Sequence, residues 1–148
     1  MALRLNHFVV LFCIFVADQI SKFFVQSYLS DSVRIIPFLK LSLVRNVGVA
    51  FGLLNNFNLR WFFVGFSFAV IVFLFNYSKK QKSQLILYSI SLIIAGALGN
   101  VVDRILFGSV VDFIDFGWWP AFNVADSAIT VGVAGLLFGS FNESKRKK

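Results

Sequence analysis

The chain is poor in charge. Only 14% of its 148 residues are Asp, Glu, Lys or Arg, against about 25% in a soluble domain. With 58% hydrophobic residues and a mean hydropathy of +0.81, that deficit excludes a soluble globular protein and predicts an integral membrane protein of one domain, residues 1–148. Cysteine and histidine are scarcer still. Cys13 stands alone, so no intramolecular disulfide can form, and one histidine, His7, leaves a zinc site short of ligands. The N-terminal apolar stretch lacks a small-x-small cleavage site, and Asp18 and Lys22 interrupt its far end. It therefore reads as a retained span and not as a removed signal. Bulky Phe12 before Cys13 argues against a lipoprotein precursor. Acids number seven against 14 Lys and Arg, for a net charge of +7. A basic chain raises nucleic-acid binding first. Here the basic residues collect at the edges of apolar runs, as orientation signals beside an anionic leaflet do, so no nucleic-acid partner is expected.

What is present is enough apolar sequence for four spans of about 20 residues. They are expected at about residues 7–28, 59–77, 83–102 and 123–141. The 78–82 connection, with Lys79, Lys80 and Lys82, and the Lys145–Lys148 tail are the strongest basic clusters. Both are expected in the cytoplasm, and four spans then put the N-terminus there too. The segments 30–58 and 105–121 become outer loops. Within the first, Val33 to Val44 reads as short edge-type strands around Pro37. Residues 49–54 suit a short helix lying on the membrane surface. Trp118 and Trp119 fit an interfacial belt. Gly132, Gly135 and Gly139 predict a close-packed face on the last span.

Polarity concentrates between Gly99 and Asp126, where four of the seven acids lie. Carboxylates beside apolar segments are costly to desolvate, which points to a site. Asp112 precedes the last span and Asp126 opens it, at a separation that lets the chain fold back and bring the two together. Two adjacent carboxyls cannot both ionise cheaply, so one keeps a proton. One member can then activate water while the other protonates a carbonyl, the logic of an aspartic protease. Bland readings compete. Asn123-x-x-Asp126 resembles a capping box, Asp112 reads as an ordinary loop acid, Asp115 as solvated, and Asp103-Arg104 as an interfacial ion pair. Asn46 and Gly48 make a turn. Asp18 and Lys22, one helical turn apart, form a self-neutralised pair or face a polar cavity shared with the central stretch, and Lys22 has the reach to snorkel. Carboxylates and Asn oxygens also suit Mg²⁺ or Ca²⁺, and intramembrane charges also mark transport pathways. A carrier, however, needs polarity through its full depth, and here polarity collects at one face.

Five blocks, in order, resemble the lipoprotein signal peptidases (signal peptidase II) of bacteria. Asp18-Gln19-Ile20-Ser21-Lys22 looks like that family's D-Q-x-[ST]-K element, and Asn46-Val47-Gly48-Val49-Ala50-Phe51 like its N-x-G-x-A-F element. Gly99-Asn100-Val101-Val102-Asp103-Arg104 is similar to G-N-x-x-D-R. Val111-Asp112-Phe113 and Phe122-Asn123-Val124-Ala125-Asp126 match its two aspartate-bearing elements. The resemblance spans essentially the whole chain. It implies four transmembrane helices with a small β-rich cradle and a short surface helix outside. It implies catalytic Asp112 and Asp126, supported by Asp18, Lys22, Asn46, Gly48, Asn100, Arg104, Asn123 and Ala125. The implied substrate is a diacylated prolipoprotein, cut just before its lipidated cysteine at the outer face of the inner membrane. No metal or other cofactor is expected, membrane lipid is the other partner, and the protein is expected to act as a monomer.

Overall fold

A computed structural model of the chain describes residues 3–48 and 59–146. Its elements run α1 (Leu5–Tyr28), β1 (Val33–Ile36), β2 (Leu39–Asn46), α2 (Leu59–Ser78), α3 (Gln84–Phe107), β3 (Val110–Asp115) and α4 (Val124–Arg146). All four helices are long and apolar enough to cross a bilayer. The surface helix expected at 49–54 lies outside the described residues.

α3 is the axis. Its hydrophobic window is 72% buried, against 6% to 22% in the others, and α1, α2 and α4 each pack on it. Hydrophobicity does not drive helices together in lipid, so contact depends on close van der Waals fit, which small residues permit. The glycine face predicted on α4 supplies it. Gly132 and Gly135 sit over Ser89, and Gly139 over Ile86, while Gly96 of α3 lies against the Ala125 carbonyl. Towards α2 the contact is aliphatic, with Leu74 among Ile86, Ile90, Ile93 and Ile94. The phenylalanines of α2, including Phe62, Phe66, Phe68 and Phe73, face outward, as a lipid-facing span requires.

Two helices outrun the apolar stretches that announced them. α3 was expected to stop near Val102 and continues to Phe107. Ile105, Leu106 and Phe107 keep the helix going, and Arg104 in the last turn suits the negative end of its dipole. Gly108 then stops it in the left-handed conformation at φ 78°, its N–H donating to the Arg104 carbonyl. α4 likewise runs past Phe141 through polar residues to Arg146.

The strands expected between Val33 and Val44 form a hairpin closed by a turn at Pro37 and Phe38. Residues 110–115, expected as loop, are a third strand, giving an antiparallel sheet of order β1-β2-β3. The β-branched pair Val110-Val111 pays little to extend, and β2 offers an unpaired edge. Register places Asn46 opposite Val110 and Val44 opposite Asp112. The sheet sits at the Phe107 end of α3, away from the basic connection between α2 and α3.

Candidate active site

β3 carries Asp112, and the sheet register delivers it against the outer turns of α3 and the start of α4. Asn46 is diagonal to Asp112 across the β2–β3 pair, so both side chains share a face. Asn46 Nδ2 donates to Asp112 Oδ2 at 2.9 Å, while its Oδ1 accepts from the Gly48 N–H at 2.8 Å. The turn expected at this pair is formed, and it aims the amide at Asp112. Gly48 has φ 96°, and a Cβ there would collide with the Phe63 ring, so glycine is required.

Asn123 does two jobs at the start of α4. Its Oδ1 accepts from the Asp126 N–H at 2.8 Å, the helix-capping contact. Its Nδ2 donates to Asp112 Oδ1 at 2.7 Å and to the Val111 carbonyl at 3.2 Å. Capping thus belongs to Asn123, which leaves the Asp126 carboxylate to accept from Asn100 Nδ2 at 2.8 Å. Asn123 Nδ2 also reaches Asn100 Oδ1 at 3.3 Å. The two acids are joined through two asparagines. Asp112 is 1% exposed and Asp126 is half-buried. Burial pushes the Asp112 carboxyl up to about 6. The charge of nearby Asp126 adds to the rise, against the hydrogen bonds from Asn46 and Asn123.

A second polar cluster adjoins the first. Lys22 Nζ contacts Asp18 Oδ2 at 2.7 Å and Asp103 Oδ2 at 2.9 Å, and donates to Asn100 Oδ1 at 3.1 Å. Lys22 is 2% exposed. It does not snorkel, because two carboxylates hold it inside the bundle. Asp18 Oδ1 accepts from the Ala125 N–H at 2.9 Å, one of the N-terminal amides that α4 leaves open. Gly99 is the residue over which that carboxylate fits, since a Cβ would occupy its place. Of the two readings of Asp18 and Lys22, the pairing is real, and Asn100 ties it to the upper site.

Three expectations need correction. Asp103 does not pair with Arg104. Adjacent helical residues point about 100° apart, and Asp103 turns to Lys22 on α1. Asp115 is not merely solvated. It accepts from Ser42 Oγ at 2.8 Å and pairs with Lys40 at 3.1 Å, because the register sets β2 beside it. Asp112 lies in a strand and not in a loop. Arg104 donates from Nη1 to the Asn100 carbonyl at 3.3 Å, its guanidinium lies 5.2 Å from the Phe63 ring centre, and its charge acts on Asp126 and Asp112.

Two contributors went unassigned from sequence. Gln19 donates to Asp18 Oδ2 at 3.1 Å and Asp103 Oδ1 at 3.2 Å. Asp103 is the other. Helical spacing held the signal for it, since it cannot face the same way as Arg104.

This geometry supports acid–base chemistry by a carboxyl pair. It presents amide N–H groups to the acids and spends two amide oxygens on backbone N–H groups, those of Gly48 and Asp126.

Comparison with known proteins agrees with the whole-chain resemblance. Residues 10–142 match the family described as signal peptidase (SPase) II. The lipoprotein signal peptidase of Shewanella sp. (strain MR-4) is 42% identical over 153 aligned residues, covering 94% of this chain and 88% of the relative. That of Shewanella amazonensis (strain ATCC BAA-1098 / SB2B) is 39% identical, covering 91% and 86%. Among solved structures, a bacterial membrane enzyme at 2.3 Å resolution superposes with a TM-score of 0.86 at 32% identity, covering 97% of this chain and 92% of that one. Another at 1.9 Å gives 0.83 at 33% identity, with 90% of each covered.

Proposed function

The chain belongs to the lipoprotein signal peptidase family of aspartic peptidases, and from that premise we propose that Asp112 and Asp126 are its catalytic dyad. Family membership carries the activity, removal of signal peptides from prolipoproteins. The observation that supports the dyad is the amide bridge. Two carboxyls are held by neutral donors, with no counter-ion within ion-pair distance among the described residues. Such a pair retains one proton.

Asp126 accepts a proton from water as its oxygen attacks the scissile carbonyl carbon. Asp112 gives its proton to the carbonyl oxygen, and a neutral gem-diol results. Collapse returns a hydroxyl proton to Asp112 while Asp126 protonates the departing nitrogen as the C–N bond breaks. Asn100 and Asn123 keep the two carboxyls in place throughout. Lys22, held by Asp18 and Asp103, anchors Asn100, and Asp18 also takes the Ala125 N–H.

The substrate is a prolipoprotein carrying diacylglycerol on the cysteine that follows the scissile bond. Its acyl chains and signal helix hold that bond at the membrane–water boundary, the depth at which the sheet meets α3. The basic connection at Lys79–Lys82 and the end of α4 share one end of the bundle, which supports a reading with that end on the cytoplasmic side of a bacterial inner membrane and the dyad at the outer face. One chain supplies every residue of the site described above, so a monomer suffices. The test is incubation of the purified protein in detergent with a diacylated prolipoprotein. Loss of the signal-peptide mass is expected in the presence of EDTA. An intact substrate, or cleavage that needs added Mg²⁺, would overturn the assignment.

A further inference from the structure

α2 gives no hydrogen bond to the carboxyl pair among the described residues, and its hydrophobic window is only 6% buried. Leu74 seats its far half on the isoleucines of α3. The half beside the site is tied to α3 by a hydrogen bond from Arg60, in the first turn of α2. Arg60 Nη2 donates to the Ile105 carbonyl. That oxygen belongs to the last turn of α3, where carbonyls lose their partners within the helix and a cation suits the dipole. Arg60 Nη1 lies 3.7 Å from where a Cβ on Gly108 would stand. Gly108 is where α3 ends and the chain turns towards β3 and Asp112.

Stability alone is a poor reason for this cation. Arg60 is partly buried and has no carboxylate within ion-pair distance among the described residues. Its Nε is buried without a hydrogen-bond partner. Removing a guanidinium N–H from water without replacing its partner costs free energy.

What Arg60 fixes is Phe63, one turn along the same face of α2. The Phe63 ring fills the space that a Cβ on Gly48 would need, and the Arg104 guanidinium lies 5.2 Å from its centre. The Gly48 N–H holds Asn46 Oδ1, and Asn46 Nδ2 holds Asp112 Oδ2. Contacts therefore lead from α2 to Asp112 through the Gly48 turn. We propose that Arg60 is a positioning residue of the peptidase, clamping α2 to the end of α3 so that Phe63 keeps the Asn46 amide on Asp112. The inference rests on the dyad assignment above.

The test uses the full chain in detergent, with cleavage of a diacylated prolipoprotein and Tm measured from pH 4 to pH 8. Arg60→Met is expected to lower kcat about 10–100-fold, as a small misplacement of reacting groups does, with KM within about twofold. Phe63→Leu, which leaves every polar group in place, should do the same. The double variant should be no slower than the slower single one, because the two residues act along one path. Arg60→Lys keeps the charge and a donor for the Ile105 carbonyl, and should recover most of the lost kcat.

A second readout does not depend on cleavage. The Asn46 hydrogen bond holds the Asp112 carboxyl down against the effect of burial, so slippage of Asn46 lets that carboxyl rise further. A higher folded-state value makes deprotonation more costly to the fold, so the Tm deficit of Arg60→Met should widen from pH 4 to pH 8. The charges acting on Asp112 are Asp126 on α4, Lys22 on α1 and Arg104 on α3. Arg60 is not among them, so the widening reports geometry and not lost charge. An uncleaved prolipoprotein with the parent protein would sink the peptidase assignment, while the Tm profile still tests the clamp. A parental kcat in Arg60→Met, with a Tm deficit equal at every pH, overturns the proposal, since Arg60 would then only hold the fold together. Multiplying losses in the double variant, a rise in KM alone, or Arg60→Lys no better than Arg60→Met each overturn it too. If Arg60→Met fails to fold, Phe63→Leu carries the same expectations for kcat and for the Tm profile.

Discussion

Asp18 and Asp103 share the ammonium of Lys22. Asp112 and Asp126 share the amides of Asn46, Asn100 and Asn123. The two clusters meet at one residue, since Asn100 receives Lys22 on its oxygen and serves Asp126 with its nitrogen. The ammonium places one positive charge between the two carboxylates it joins. An amide orients a carboxylate without cancelling it, so the charge must be relieved by a proton. The proposed dyad is thus held by neutral donors, and the other two acids by a shared cation. What differs is the partner, not the depth, because Asp18 and Asp112 are 0% and 1% exposed.

That contrast predicts opposite consequences for matched substitutions. The largest effect belongs to Asp112→Asn and Asp126→Asn. Each is expected to lower kcat by about 10³-fold or more while helical circular dichroism is unchanged. Turnover within tenfold of the parent by either variant would erase the distinction between the clusters. Lys22→Met comes next. It strands two buried carboxylates and is expected to cost about 3–5 kcal/mol of stability, read as a large fall in Tm in detergent. A variant as stable as the parent would show that the lower cluster is not held by its ammonium.

Titration sharpens the comparison. Asp112 stands at about 6 in the folded protein, above the roughly 3.9 of an unfolded aspartate. A folded-state value raised in this way means the carboxyl favours folding when protonated. Its contribution is complete below about pH 4, declines as pH climbs through 6, and is gone above it. Asp112→Asn removes that penalty. Its Tm relative to the parent should rise between pH 4 and pH 8, by the equivalent of about 2–3 kcal/mol at most. A pH-independent difference would refute the placement of the proton on Asp112. The smallest effect separates the two duties of Asn123. Asn123→Ser keeps a capping oxygen and loses the amide to Asp112. Cleavage should fall about 10–100-fold with Tm within a few degrees, whereas Asn123→Ala should lose about 1 kcal/mol more stability. If Ser and Ala behave alike in both assays, the asparagine is only a cap.

Much of this was legible in the chain. The low charge and four apolar runs give the spans. Pro37 within a β-branched stretch gives the short strands, and the glycine spacing in 132–139 gives the close-packed face of α4. Asp112, Asp126 and their asparagines stood out because polar groups are conspicuous in an apolar background. The misses share a cause. Helix ends fall later than the expected spans, because Ile105, Leu106 and Phe107 carry α3 past Arg104 and polar residues carry α4 past Phe141. β3 looked like loop because an aspartate interrupts it, and an unpaired edge on β2 made it a strand. Helical spacing separates Asp103 from Arg104, but which residue of another helix receives it leaves no trace in the sequence.

By itself, then, the order of residues determined that this is a four-span membrane protein with its polar groups at one rim, since desolvation makes any charge in such a chain a commitment. Which acids answer to Lys22 and which to the asparagines was decided only when α1, α3, α4 and the sheet met. Partnership depends on a few ångströms between segments as far apart in the chain as Asp18 and Ala125, and no local preference encodes that distance.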